Sequence, residues 1–196
     1  MLFVRKEAPP QQRKYQDYKP YLRRDFLYRC AYCLIHEGHF GGLRNYHVDH
    51  FCPKRKFPGL ALVYKNLYYS CSICNTVKGD VWPSQDQLST GYCFTDPCQE
   101  NPHEHHFHAQ GNGILRFLTN AGKYTLEHLR LNRQQLVNHR RRQTDVLEKC
   151  REVRDLVDSL SIRGDLAKRI REQLEQIERF YTDPPIPYEP EDLLPS

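Results

Sequence analysis

No run of apolar residues in the chain approaches eighteen, which excludes a hydrophobic helix crossing a membrane. The first residues, MLFVRKEAPPQQRKYQ, hold charge but no apolar middle, so they do not read as a secretory signal, and a cytoplasmic location is expected. Apolar residues are in modest supply, at 39% of 196 positions against 27% charged. That suffices for one compact domain with a core, or for a small domain with an appendage. Cysteine, by contrast, is plentiful at eight residues. In a secreted chain this would suggest disulfides, whereas in a reducing compartment paired Cys-x-x-Cys spacing points to metal.

Two such pairs, Cys30 with Cys33 and Cys71 with Cys74, are separated by 37 residues. Four thiolates on one Zn2+ would close the intervening segment into a loop; buried free thiols or redox cysteines are the alternatives. The stretch from Tyr46 to Gly79 reads YHVDHFCPKRKFPGLALVYKNLYYSCSICNTVKG. Tyr46 to Phe51 alternates as a strand does, and Pro53 stops it. Asn66 to Ser70 predicts a second short strand, and Cys71 to Lys78 a short helix that Gly79 ends. Asp49 and His50 lie on the first strand, with Asn66 and Asn75 downstream. Phosphodiester hydrolysis needs an activated water and a cation on the developing negative charge, and an imidazole beside a carboxylate suits both needs. Alternation would point those two side chains to different sides of the strand.

The formal net charge of +5 is unevenly spread. Residues 1–56 hold twelve Lys or Arg against five Asp or Glu, while the remainder holds seventeen against nineteen. A positive field around the motif suits a polyanionic substrate, although a solvated basic surface would carry the same charge. Lys54, Arg55 and Lys56, directly after the first strand, are candidate phosphate contacts. Lys78, three residues after Asn75, is another, with a solvated lysine as the alternative.

The rest of the chain frames this motif as an α+β protein. Residues 1–20, with Pro9, Pro10 and Pro20, predict a basic extended arm, and residues 21–28 a short helix presenting Leu22, Phe26 and Leu27 on one side. Tyr15, Tyr18 and Tyr21, interleaved with Arg13, Lys14, Lys19, Arg23 and Arg24, would either stack on nucleic acid or pack in the core. His47, three residues before His50, is a candidate to assist metal or substrate binding, with a packed or exposed strand position as the alternative, and Cys52 has no role beyond packing. Cys93 and Cys98 with His103, His105, His106 and His108 pose the question of a second zinc, against a His-rich surface loop. Residues 114–118 predict a strand. Val146, Cys150, Val153, Val157 and Leu160, then Leu166, Ile170, Leu174, Ile177 and Tyr181, form two apolar seams separated by Gly164 and a potential N-cap, Asp165. Such an αα-hairpin must pack its seam on the core or meet another protein, or a second copy, through residues 145–182. The expected parts are therefore an arm (1–20), a zinc-bearing domain (21–124), a helical region with the hairpin (125–182) and a Pro-rich tail (183–196).

Residues 20–80 resemble the HNH nucleases, the ββα-metal family, in the form with a four-cysteine zinc knuckle. The resemblance rests on the Asp49-His50 pair, Asn66, Asn75 and both Cys-x-x-Cys pairs falling in register. It implies a metal-dependent endonuclease in which His50 activates water, Asp49 and Asn75 bind Mg2+ or Mn2+, Asn66 braces the loop that orients the base, and the four cysteines hold a structural Zn2+. Many relatives carry His where Asn75 stands, and the harder amide oxygen favours Mg2+. A zinc-stabilised module that binds nucleic acid without cutting it would not need Asp49 and His50 in register, and an adaptor built on the hairpin would leave the polar motif unexplained. DPCQENPHEHHFH and the later AGKYTLEHLRLNRQQLVNHRRR resemble a bacterial HNH subfamily of antiphage defence operons, of the Septu and retron-associated types. There the nuclease accompanies an ATPase, which implies such a partner here, with DNA the expected substrate and RNA the alternative.

Overall fold

The computed structural model describes residues 2–5 and 9–184, so the expected tail from 185 onward lies outside the described residues. The elements in chain order are α1 (Lys19–Asp25), β1 (Tyr46–His50), β2 (Leu67–Cys71), α2 (Ser72–Lys78), α3 (Gln85–Ser89), α4 (Pro102–His105), β3 (Phe107–Ala109), β4 (Leu115–Phe117), α5 (Asn120–His128), α6 (Gln134–Ser159) and α7 (Gly164–Thr182). They form two compact units. The first runs to Ala109 and resumes over Leu115–Asn132; the second joins Gln110–Ile114 to the residues from Arg133.

The first unit is built on β1 and β2, which pair antiparallel with Tyr46 opposite Cys71, Val48 opposite Tyr69 and His50 opposite Leu67. All five residues of β2 are buried, because side chains cover both of its faces. On one face Tyr69 stacks on Tyr46 at 4.8 Å; on the other Tyr68 packs on Phe51 at 4.9 Å and on Phe26 at 5.4 Å. Each phenol in this core finds an acceptor: Tyr46 donates to the Ile35 carbonyl at 2.7 Å, Tyr68 to Asp96 at 2.6 Å and Tyr69 to Glu37 at 2.5 Å. Glu37 is in turn held by the buried guanidinium of Arg23. Arg23 therefore belongs to the core and not to a nucleic-acid surface.

The N-terminal residues also depart from an extended arm. Phe3 and Tyr18 are buried, residues 15–18 form a 3-10 turn, and Phe3 N–H donates to the Pro97 carbonyl at 2.8 Å. Arg5 caps the start of β2, donating to the carbonyls of Tyr64, Lys65 and Leu67 while its guanidinium lies 4.6 Å from the Tyr68 ring centroid. Burial of aromatic surface outweighs the arm's polar composition. α1 begins two residues before the expected helix and stops at Asp25, so Leu22 and Phe26 are buried but Leu27 is exposed.

The expected boundary at 124 also shifts. α5 packs with the first unit, where Tyr124 meets Phe94 at 5.1 Å and the Thr125 hydroxyl accepts from Thr95 N–H at 2.8 Å. In the second unit α6 and α7 run antiparallel, with Arg154 on Glu178 and Arg171 on Asp158. Cys150, Val157, Ala167 and Leu174 are buried there. Val153, Leu160, Leu166 and Ile177, expected on the seam, are exposed instead, since two helices share only a narrow strip. Gly113, with φ +84°, is required in the loop of this unit: a Cβ would stand 2.3 Å from the Val137 carbonyl oxygen.

Candidate active site and zinc centre

Cys30 and Cys33 lie on a tight turn in which Leu34 N–H returns to the Cys30 carbonyl at 3.0 Å and Leu34 takes φ 61°. Ala31 N–H donates to the Tyr69 carbonyl at 2.8 Å, which fastens that turn to β2. Cys71 caps α2, its sulfur accepting from Cys74 N–H. The four sulfurs thereby converge to within 4.8 Å of one another, and Cys33 and Cys71 sulfurs are 3.8 Å apart. Tetrahedral Zn–S bonds of about 2.3 Å place sulfurs about 3.8 Å apart, so the donor set fits zinc in both chemistry and spacing. Among the described residues, Cys93, Cys98 and the nearby histidines contribute to no comparable cluster. His106 instead contacts Glu100 at 2.6 Å and Thr119 at 2.5 Å.

Asn75 directly follows Cys74 on α2, and that helix carries it to the cleft at the end of β1. Asp49, His50 and Asn75 line one cleft of about 200 Å³, together with Tyr15, Lys54 and Asp80. Adjacent strand residues alternate in direction, yet Val48, Asp49 and His50 all line this cleft. His50 is buried, its Nε2 lies 3.0 Å from the Ala61 carbonyl, and the Tyr15 ring meets it edge-on at 4.7 Å. Burial holds the His50 imidazolium pKa below its ordinary value. Asp49 is also buried, and burial raises its carboxyl pKa despite the opposing Lys78 ammonium and the Tyr32 phenol.

Asn66 stands just before β2 and does not enter the cleft. Its side chain accepts from Cys52 N–H at 2.8 Å and donates to the Cys52 carbonyl at 3.0 Å and the Leu60 carbonyl at 3.3 Å. It thus pins both ends of the loop after β1. With the ββα arrangement, the zinc turn and the cleft residues in place, residues 30–80 match the model of the HNH endonuclease family. They form an HNH endonuclease domain. No curated protein matches the chain.

Within the HNH domain, Lys54 and Arg55 are exposed beside the cleft, Lys54 with its ammonium 4.8 Å from the Tyr15 ring centroid and Arg55 on Asp80 at 3.2 Å. Lys56 is exposed as well, 3.5 Å from the Trp82 carbonyl. Lys78 is different. It is fully buried, and its ammonium lies 2.6 Å from the His50 carbonyl and 3.0 Å from Asp49, so it cannot contact a phosphate from there. The cause is the partners it meets: the Asp49 carboxylate and the His50 carbonyl answer its charge and hydrogens inside the fold. His47 is exposed, and Tyr18 is in the core. Sequence reasoning missed Tyr32, whose phenol donates to Asp49, and Asp80 on Arg55; no spacing signal marks either.

The cleft also fits a hard divalent cation. Asp49 Oδ2 is occupied by Tyr32 and Lys78, but among the described residues Oδ1 and the Asn75 amide carry no protein partner. Two oxygen donors left open in one cleft are the donor type that Mg2+ and Mn2+ take.

Proposed function

We propose that the protein is a divalent-metal-dependent endonuclease that hydrolyses phosphodiester bonds of nucleic acid, with DNA its preferred substrate and RNA the alternative. The observation that carries this reading is the convergence of His50, Asp49 and Asn75 in one cleft of the HNH domain. A carbonyl oxygen only accepts, so the contact with Ala61 assigns the ring proton to Nε2 and leaves Nδ1 as the basic nitrogen. Depression of the His50 pKa by burial keeps the ring neutral at pH 7, ready to take a proton. His50 Nδ1 then accepts a proton from a water as the water oxygen bonds to phosphorus and the P–O bond to the leaving sugar oxygen breaks. Mg2+ or Mn2+ held by Asp49 and Asn75 would neutralise charge on the phosphate and the departing oxygen. Asn66 holds the loop bearing Ala61 at a fixed distance from β1, and Lys54, Arg55 and Lys56 offer charge to the flanking phosphates.

Plasmid nicking with Mg2+, with EDTA and with His50→Ala tests this. Nicking is expected only for the wild type with metal, with His50→Ala slower by on the order of 10²–10⁴-fold. Equal cutting by His50→Ala would reject the assignment. The resemblance of residues beyond 96 to the defence subfamily supports a cytoplasmic antiviral role with an ATPase partner. Exposed Leu156, Leu160, Leu166 and Phe180 on the hairpin of residues 145–182 are the surface on which we seat that partner.

A further inference from the structure

Lys78 is the one lysine with no exposed surface among the described residues, and it lies beneath the cleft. A buried ammonium is tolerated when its hydrogens and charge are both answered. Here one hydrogen bond of 2.6 Å goes to the His50 carbonyl and a contact of 3.0 Å goes to Asp49 Oδ2, while the ammonium lies 5.7 Å from the Phe94 ring centroid. The Tyr32 phenol donates to the same carboxylate oxygen. One side chain of α2 therefore grips two consecutive residues of β1. That helix also carries Asn75, three residues earlier.

We propose that Lys78 is a positioning residue of this nuclease site. It locks the Asp49-His50 peptide to the helix that bears Asn75, and with Tyr32 it occupies Asp49 Oδ2 so that Oδ1 is the oxygen turned to the cleft. The proposal rests on the reading of the cleft as a nuclease site. Lys78 acts through Asp49 and His50 and touches no substrate, which sets it apart from a phosphate-binding lysine.

Lys78→Met keeps the apolar stem and removes the ammonium. We expect the Mg2+-dependent cleavage rate constant to fall on the order of 10²-fold, the loss typical of a small misplacement of reacting groups. Binding of a DNA duplex in EDTA should stay within about twofold, with the salt slope unaltered, because no phosphate contact is lost. Loosening of His50 should also show without metal or substrate: its ring 15N resonances, those of a single Nε2–H tautomer in the wild type, should move toward mixed tautomers. A folded, zinc-loaded K78M that cuts at the wild-type rate would overturn the proposal. So would weaker binding with a salt slope smaller by about one charge, which marks a phosphate contact. Should K78M fail to fold, Tyr32→Phe removes only the phenol from the same oxygen and should give a smaller fall in rate, an unchanged rate again being the overturning result. If the wild type itself cuts nothing, the nuclease reading fails separately, and unchanged His50 resonances in K78M or Y32F would still reject the role of Lys78.

Discussion

Asn66 illustrates how one amide can set the shape of a site from outside it. Its carboxamide makes two bonds to Cys52 and one to Leu60, and its own carbonyl accepts from Phe51 N–H at 2.9 Å. Asn66→Ala leaves the Cys52 N–H and carbonyl without that partner, a loss worth about 1–3 kcal/mol for a buried polar pair. Chemical denaturation should read that destabilisation. The Ala61 carbonyl rides on the same loop, so the variant should also cleave more slowly than its residual stability alone would give. Retained stability and activity in Asn66→Ala would remove the bracing role. The family resemblance implied a bracing Asn66, and its bonds to Cys52 and Leu60 are those a brace would make. Tyr32 was not, because the contact joins residues seventeen apart in sequence that only the zinc turn brings together.

At the scale of elements, the zinc turn does what the two-stranded sheet is too small to do. It ties the segment before β1 to the first turn of α2, and that helix positions Asn75. Purified protein is expected to contain about one zinc per chain, and stripping it should unfold the HNH domain, since a closed thiolate site contributes folding energy directly. Elemental analysis and the change in thermal unfolding after chelation check this; a folded, zinc-free protein with the same melting temperature would contradict it. The strands and α2 were legible within a residue or so because alternation, Pro53 and Gly79 are local signals. Gly79, at φ 47°, ends α2 as expected. The N-terminal segment was not legible: Phe3 and Arg5 are placed by partners about sixty to ninety residues away.

For the whole molecule, substrate engagement should depend on salt. The exposed Lys54, Arg55 and Lys56 stand beside the cleft, so reversing their charge should weaken nucleic-acid binding about equally for all sequences and flatten its salt dependence. Affinity that is the same at low and high salt would argue against this contact. The second unit supplies a separate test. Ending the chain at Thr144 keeps buried Leu136 and the bond from Arg140 to the Gly113 carbonyl, while removing the hairpin. We expect that shortened protein to stay folded, keep zinc and cleave with metal, yet to lose co-purification with the partner proposed for the hairpin. An insoluble fragment would mean that the helices complete a core.

The sequence by itself determined the four-cysteine donor set and the order of the central elements, because ligand spacing, strand alternation and helix stops are written within a few residues of one another. It also determined which side chains are candidates for chemistry: Asp49, His50 and Asn75, with the four cysteines. Only the tertiary structure decided what surrounds them. Lys78 is buried under Asp49 instead of facing phosphate, Arg23 pairs with Glu37 in the core, and the hairpin leaves four of its ten expected seam residues exposed. Those outcomes turn on which charge or ring lies opposite after folding, and burial of a charged group is settled by the partner it meets there, not by its own neighbours in the chain.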